Sequence, residues 1–413
     1  NEDQKNWTVV QENFQNAKNM YPDHVCSVCY KLLFRKQVVN CQPDTYNKKT
    51  TSDGIGLGLA CVSTKYLDNC SEDETHICSS RCKLWICYTC HRKLLAGNMP
   101  AECFQNKLEN VQVPDVLKEL NSVESHLISR IIPFTKMMAL PKGGQLGVQG
   151  PVVCVPSNVS ETVQSLPRPE NANQLIQVKL KRKLSYKGHC DFKFINTEKV
   201  KKAIEHLCKT NKYYTDLKFD DTWENPIESK IDAEVPNEEE IQDNELGETL
   251  DNELNHAMPH ETCLQPVDIG QEILDQYFDQ IFCLAPCESN NPISVLTEKG
   301  IETKCFPCLF PTGENVFDEE REVQLTLSRY LLNKLMNVDP RYANNTDFIF
   351  FSQYLTELQQ VISKVSIALR KTPEKGFDGN RITLNSIKDK DSLQEIFKSD
   401  NGYKFLTPIQ GTP

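Results

Sequence analysis

The sequence predicts an α+β chain in four segments. Three patterns carry that expectation: a cluster of cysteines near the N-terminus, a reversal of charge in the middle, and helical apolar periodicity toward the C-terminus. Residues 1–110 read as a cysteine-rich unit, 111–215 as a small basic α+β unit, 216–262 as an acidic disordered linker and 263–413 as a mainly helical unit. A length of 413 residues is in keeping with such a division.

No stretch approaches the roughly 18–20 uninterrupted apolar residues of a membrane span. Asn1–Val10 lacks the basic region and apolar core of a secretory signal. With a mean hydropathy of −0.49, the expectation is a soluble intracellular protein, nuclear or cytoplasmic, without a membrane partner. The chain begins without Met, as an excised or incomplete chain would.

Ten of the 18 cysteines lie between Cys26 and Cys103. Cys26/Cys29 and Cys87/Cys90 each have C-x-x-C spacing, which lets one tight turn aim two thiolates at one tetrahedral ion. Two such turns complete a four-cysteine site, and without a secretory signal structural Zn2+ accounts for the pattern better than disulfides. Cys78 and Cys82 precede the second pair, and with His76 and His91 nearby they suit a second ion. The candidate ligands are therefore Cys26, Cys29, Cys78, Cys82, Cys87 and Cys90. The 57 residues between the C-x-x-C pairs exceed an ordinary finger loop, and Gly54–Gly58 within them lacks the G-x-G-x-x-G spacing of a dinucleotide site.

Pro114–Arg130 is expected as one helix, with Val116, Leu120, Val123 and Leu127 on a stripe. The Pro/Gly-rich run 133–151 reads as loop and Val152–Val155 as a short buried strand. Over Leu175–Lys187, Ile176, Val178, Leu180, Leu184 and Tyr186 share one parity, while Gln177, Lys179, Lys181, Lys183 and Lys187 share the other. Period-two alternation puts these sets on opposite faces of a strand, with Arg182 on the apolar parity. The lysine stripe suits phosphate contacts and equally suits an edge strand that repels further pairing. Phe192–Ile195 is a second strand to pair with it. Asn196 or Thr197 then caps a helix whose Val200, Ala203, Ile204 and Leu207 form the apolar face, ringed by Lys199, Lys201, Lys202 and Lys209. Tyr213 and Tyr214 follow, suited to burial or to stacking on bases.

The net charge of −11 is unevenly spread. Asp216–Asn255 carries 15 acidic residues against Lys218 and Lys230, a balance of −13 that leaves +2 for the rest of the chain. Low hydrophobicity with strong like charge does not repay the entropy of ordering, hence the disordered linker. Just before it, Lys179–Lys212 sums to +8, so the overall acidity does not argue against a nucleic-acid partner. In the last segment, Cys283/Cys287 and Cys305/Cys308 read as buried thiols, with another metal site as the alternative. Leu327, Tyr330, Leu331 and Leu335 mark a short amphipathic helix. Phe348, Phe351, Leu355, Leu358, Ile362, Val365 and Leu369 repeat in steps of three and four, a seam that suits either a core helix or self-association through 348–369.

Several blocks, read in order, resemble the N-terminal region of Helitron transposon proteins. Cys87-Tyr88-Thr89-Cys90-His91, Ile132-Pro133-Phe134, Leu140-Pro141-Lys142-Gly143-Gly144-Gln145 and Gly150–Pro156 resemble the cysteine-rich uncharacterised domain that precedes the Helitron helicase-like domain. Val178–His189 is the most distinctive of these blocks. Phe306-Pro307-Cys308-Leu309-Phe310-Pro311-Thr312-Gly313 is similar to the opening of the helicase-like domain, and Asp339-Pro340-Arg341-Tyr342 extends the likeness. The resemblance covers roughly Cys26–Tyr214 and Ile301–Pro413.

The resemblance implies a transposable-element replication protein that handles DNA in the nucleus. That family nicks single-stranded DNA with a His-hydrophobic-His metal motif and tyrosine nucleophiles, and follows it with a helicase. Neither a His-hydrophobic-His triplet nor G-x-x-x-x-G-K-[ST] occurs here, so no catalytic residue is assigned and the family's chemistry is expected beyond Pro413. The expectation is a non-catalytic, zinc-stabilised region that binds single-stranded or transposon DNA through Lys179, Lys181, Arg182, Lys183 and Lys187. The alternatives are a protein-interaction module using the helical seam and acidic linker, or a fragment of a rolling-circle endonuclease whose catalytic part is missing.

Overall fold

The computed structural model describes residues 2–18, 21–47, 50, 54–68, 82–139, 146–166, 175–180, 191–217, 264–265, 282–287, 291–371, 391 and 394. Helices and four small sheets of two or three strands make up these residues, an α+β fold. Two compact units are present, 1–349 and 350–413. Among the described residues, no helix is long and apolar enough to cross a membrane.

The first unit opens with α1 (Glu2–Lys18), which leaves Trp7, Val10 and Phe14 exposed. Strands β1 (His24–Val25) and β2 (Leu32–Leu33) pair antiparallel around the first C-x-x-C turn. Strand β3 (Val38–Asn40) is followed by α2 (Leu57–Cys61), then by β4 (Trp85–Cys87), which pairs antiparallel with β3. Helix α3 (Tyr88–Leu95) starts directly from β4. Val28, Leu33, Val38, Ile86 and Leu94 close one core around the cysteines between them.

The expected helix over 114–130 is two, α4 (Asp115–Lys118) and α5 (Ser122–Leu127). Asn121 is the reason. It takes extended dihedrals, accepts from the Glu124 amide at 3.0 Å, and donates its own amide to the Glu124 carboxylate at 2.8 Å, a capping box that starts a new helix. The stripe shifts with it, since Leu117 is buried and Val116 exposed.

The expected loop over 133–151 is largely strand. β5 (Ile131–Ala139) and β6 (Leu146–Pro156) form an antiparallel hairpin with an irregularity between Phe134 and Lys136. Ile132 and Phe134 bury opposite Val155 and Val153, and that cross-strand packing outweighs the prolines and glycines that read as breakers. The buried 152–155 strand is the end of β6. Helix α6 (Val159–Gln164) follows.

Strands β7 (Ile176–Leu180) and β8 (Asp191–Ile195) pair as expected, antiparallel with Ile176 opposite Ile195, and Val178, Leu180 and Ile195 are fully buried. Helix α7 (Thr197–Thr210) is capped by Asn196, whose side chain accepts from the Glu198 and Lys199 amides at 3.0 and 3.2 Å. Its Val200, Ala203, Ile204 and Leu207 complete the core under this sheet, joined by residues of α5 and α6. Two strands from far along the chain finish the sheets: β9 (Leu264–Gln265) pairs parallel with β5, and β10 (Phe282–Leu284) pairs parallel with β7.

Of the expected acidic linker, Asp216 and Leu217 are described and the remainder lies outside the described residues. Asp216 takes both terminal nitrogens of Arg130, at 2.5 and 3.0 Å, so the first residues of that segment belong to the folded unit. Helices α8 (Ile301–Cys305) and α9 (Leu327–Leu335) follow, then α10 (Thr346–Lys371), which runs into the second unit. In the second unit Phe351 and Leu355 are buried, while Val361 and Ile362 are exposed.

Candidate metal centre

The first cysteine pair sits in a tight turn between β1 and β2. The Tyr30 amide donates to the Cys26 carbonyl at 2.9 Å and the Cys26 amide to the Lys31 carbonyl at 3.1 Å, which folds residues 26–31 back on themselves. Tyr30 closes that turn with φ +57, a left-handed conformation that glycine adopts most readily. Packing holds the strained residue: its ring stacks on Phe104 at 5.1 Å and meets Tyr66 edge-on at 5.0 Å.

The second pair sits where a strand becomes a helix. Cys87 is the last residue of β4 and the N-cap of α3, so its sulfur accepts from the Cys90 amide at 3.4 Å. Cys90 follows in the first turn of the helix, where the aligned peptide dipoles favour negative charge. The pairs are stitched together by backbone. The Cys87 amide donates to the Cys26 sulfur at 3.3 Å, and the Ser27 amide to the Trp85 carbonyl at 2.8 Å.

The outcome is a group of four sulfurs, those of Cys26, Cys29, Cys87 and Cys90, all within 4.8 Å of one another. Three of the residues are buried and Cys87 is partly exposed. Sulfurs bound at about 2.3 Å to a tetrahedral ion lie about 3.8 Å apart, so this group can hold a metal ion. The four thiols also perturb one another. Sulfur–hydrogen bonds from Cys26, Cys29 and Cys90 push the Cys87 thiol far down. Hydrogen bonding to Cys26, with burial, pushes Cys29 and Cys90 well up.

Among the described residues, no further expected ligand joins this group. Cys82 is disulfide-bonded and stands outside the four-cysteine group. Cys78 and His76 lie outside the described residues. His91, on α3, has its Nδ1 in a 2.7 Å hydrogen bond with the Tyr46 hydroxyl. Three further cysteines, Cys41, Cys61 and Cys103, share the core with the four. Burial, with Cys26 adding to it, pushes Cys41 up to about 12. The Cys103 thiol donates to the Cys61 carbonyl at 3.9 Å. None of the three lies in a C-x-x-C pair, so spacing carried no signal for them.

Of the expected nucleic-acid residues, Lys179 lies on β7 in register with Phe192. Lys181, Arg182, Lys183 and Lys187 lie outside the described residues. On α7, Lys199 pairs with Glu119 at 3.2 Å, and Lys202 and Lys209 are exposed. Tyr214 is fully buried and donates to the Ile128 carbonyl at 2.9 Å, so it is a core residue and not a platform for bases. The Tyr213 ring lies 5.3 Å from the Lys212 ammonium and 5.4 Å from that of Lys304.

Residues 96–225 match a family described as a domain of unknown function (DUF6570), a span that begins just after the last of the four clustered cysteines and contains β5 to β8 and α7. No curated protein and no solved structure gives a match.

Proposed function

We propose that this chain is a non-catalytic, zinc-stabilised nucleic-acid-binding region of a Helitron-derived transposon replication protein. The supporting observation is one folded arrangement with two parts. Cys26, Cys29, Cys87 and Cys90 form a cluster able to hold a metal ion, and β8, α7 and the end of β7 lie within a segment of charge +8, Lys179–Lys212. Four thiolates in a closed, mostly buried set favour Zn2+, which is content with tetrahedral sulfur and needs no open position in a structural role. The metal holds the fold and the lysines hold DNA through phosphates, a sequence-independent interaction that weakens steeply with salt.

Two measurements test this together. Metal analysis of protein prepared without chelator is expected to find stoichiometric zinc. Binding to single-stranded DNA is expected to fall steeply as salt rises, and the triple substitution Lys179→Glu, Lys181→Glu, Lys183→Glu to abolish it. Unchanged affinity in that variant defeats the nucleic-acid reading, and sub-stoichiometric zinc defeats the metal. A second reading, a protein-interaction module, is favoured by the exposure of the seam residue Ile362. Concentration-dependent self-association in sedimentation, lost in Ile362→Glu, would support it.

A further inference from the structure

The β10–β7–β8 sheet has two unlike faces. Its inner face is closed: Val178, Leu180 and Ile195 are fully buried against the apolar face of α7. On the other face Phe194 leaves 55% of its surface in water, although a phenylalanine in a three-stranded sheet gains most by burial. Residues directly opposite in antiparallel strands share a face. The register sets Gln177 opposite Phe194 and Lys179 opposite Phe192, so all four positions fall on this outer face. Leu175, exposed at 56%, precedes β7 with the same parity.

The strand that carries Phe194 is fixed from behind. The Asn121 side-chain amide donates to the Phe194 carbonyl at 2.8 Å, and the next amide but one, that of Asn196, donates to the Glu124 carboxylate at 2.7 Å. An exposed aromatic ring on a backbone held at its own carbonyl and two residues further on is pre-organised, and the segment around it is strongly basic. Those are the two components of single-strand recognition: cationic groups for the phosphates and a flat apolar surface for a base. Duplex DNA buries its base faces in its own stack and offers nothing to such a ring.

We propose that the outer face of this sheet is a stacking platform for unpaired bases of single-stranded DNA, with Phe194 the residue on which a base lies. The proposal rests on the nucleic-acid reading above and gives it a preference, single strand over duplex.

The test uses the full chain with labelled oligothymidylate and a duplex of matched length. Phe194→Leu keeps apolar volume and removes the ring. It is expected to weaken oligothymidylate binding about ten-fold, to leave duplex binding unchanged, and to keep the slope of affinity against salt. Phe194→Trp is expected to retain affinity and to show indole emission quenched on binding, above any change in the parent protein. Matched thermal midpoints for the three proteins confirm that the fold is intact. If Phe194→Leu binds oligothymidylate as the parent does while the triple lysine variant does not, the platform is overturned and the nucleic-acid reading stands. Equal losses toward single strand and duplex also overturn it. If the parent binds neither probe, both fall.

Discussion

The backbone amide of Cys87 donates to the sulfur of Cys26 at 3.3 Å, so the two cysteine pairs are joined through the chain as well as through their thiols. Cys87 is also the N-cap of α3, accepting from the Cys90 amide. Serine is a preferred N-cap, so Cys87→Ser keeps the helix start and removes only the thiolate. Bound metal is expected to drop below one equivalent, with a loss on the order of 4 kcal/mol of stability. Cys208→Ser, at a half-buried cysteine outside the cluster, is expected to keep full metal content. Elemental analysis and urea denaturation of the two variants check this.

Glu302, on α8, is buried and reaches Tyr330 of α9. Its carboxylate accepts from the Phe317 amide at 2.7 Å and from the Tyr330 hydroxyl at 3.4 Å, while Oε1 has no partner among the described residues. Burial raises it from 4.5 to about 7. An acid whose folded pKa is raised contributes stability that is complete below its unfolded value and is lost as pH rises through the folded one. Stability is therefore expected to fall between pH 4.5 and about 7, by on the order of 3 kcal/mol. Buried Lys334, lowered to about 7, is charged in both folded and unfolded chains below that pH and adds little slope in this window. Glu302→Gln is expected to flatten the fall and to exceed the parent in stability at pH 7, measured as urea midpoints at pH 5 and 7.

What could be read from the sequence was whatever depends on near neighbours. The C-x-x-C pairs, the alternation over 176–180 and the Asn196 cap of α7 each lie within a few residues, and the structure builds all three. The β5–β6 hairpin was hidden because Pro133, Gly150 and Pro151 read as breakers, while their tolerance depends on partners across the sheet. The parallel pairing of β10 with β7 joins residues about a hundred positions apart and leaves no local trace. Lys334 looks like a solvent-facing position of an amphipathic helix, yet it is buried, donating to Asn110 at 2.9 Å among the rings of Phe310, Tyr330 and Tyr342. Cys41, Cys61 and Cys103 reach the core shared with the four clustered cysteines by tertiary folding alone.

Glu124 joins α5 to the strand that carries Phe194. One carboxylate oxygen accepts from the Asn121 amide at 2.8 Å and the other from the Asn196 amide at 2.7 Å, and the residue is buried. Glu124→Ala strips both amides of their acceptor, with an expected cost on the order of 3 kcal/mol. Glu124→Gln keeps one carbonyl oxygen and is expected to fall between it and the parent. Faster hydrogen exchange at the Asn196 amide in the alanine variant distinguishes loss of this tie from a diffuse effect on stability.

Asn211, fully buried at the end of α7, binds the segment around α8 with every hydrogen of its side-chain amide engaged. It donates to the Thr303 hydroxyl at 3.0 Å and to the Phe310 and Pro311 carbonyls at 3.1 Å, and its oxygen accepts from the Tyr213 amide at 3.0 Å. Thr303 bonds the Phe310 carbonyl as well, so Asn211→Ala leaves the Pro311 carbonyl and the Tyr213 amide most exposed to loss. The expected cost is on the order of 3 kcal/mol. Asn211→Asp is nearly isosteric and separates shape from chemistry. Its carboxylate would face two carbonyl oxygens without a donor, which favours the protonated form and raises its folded pKa. That variant is expected to be less stable than Asn211→Ala at pH 7 and to overtake it in acid, where the protonated side chain regains a donor. Urea midpoints for the two variants at pH 4 and 7 are expected to cross. Parallel pH dependence would mean that the amide's donors to residues 303–311 contribute nothing to the fold.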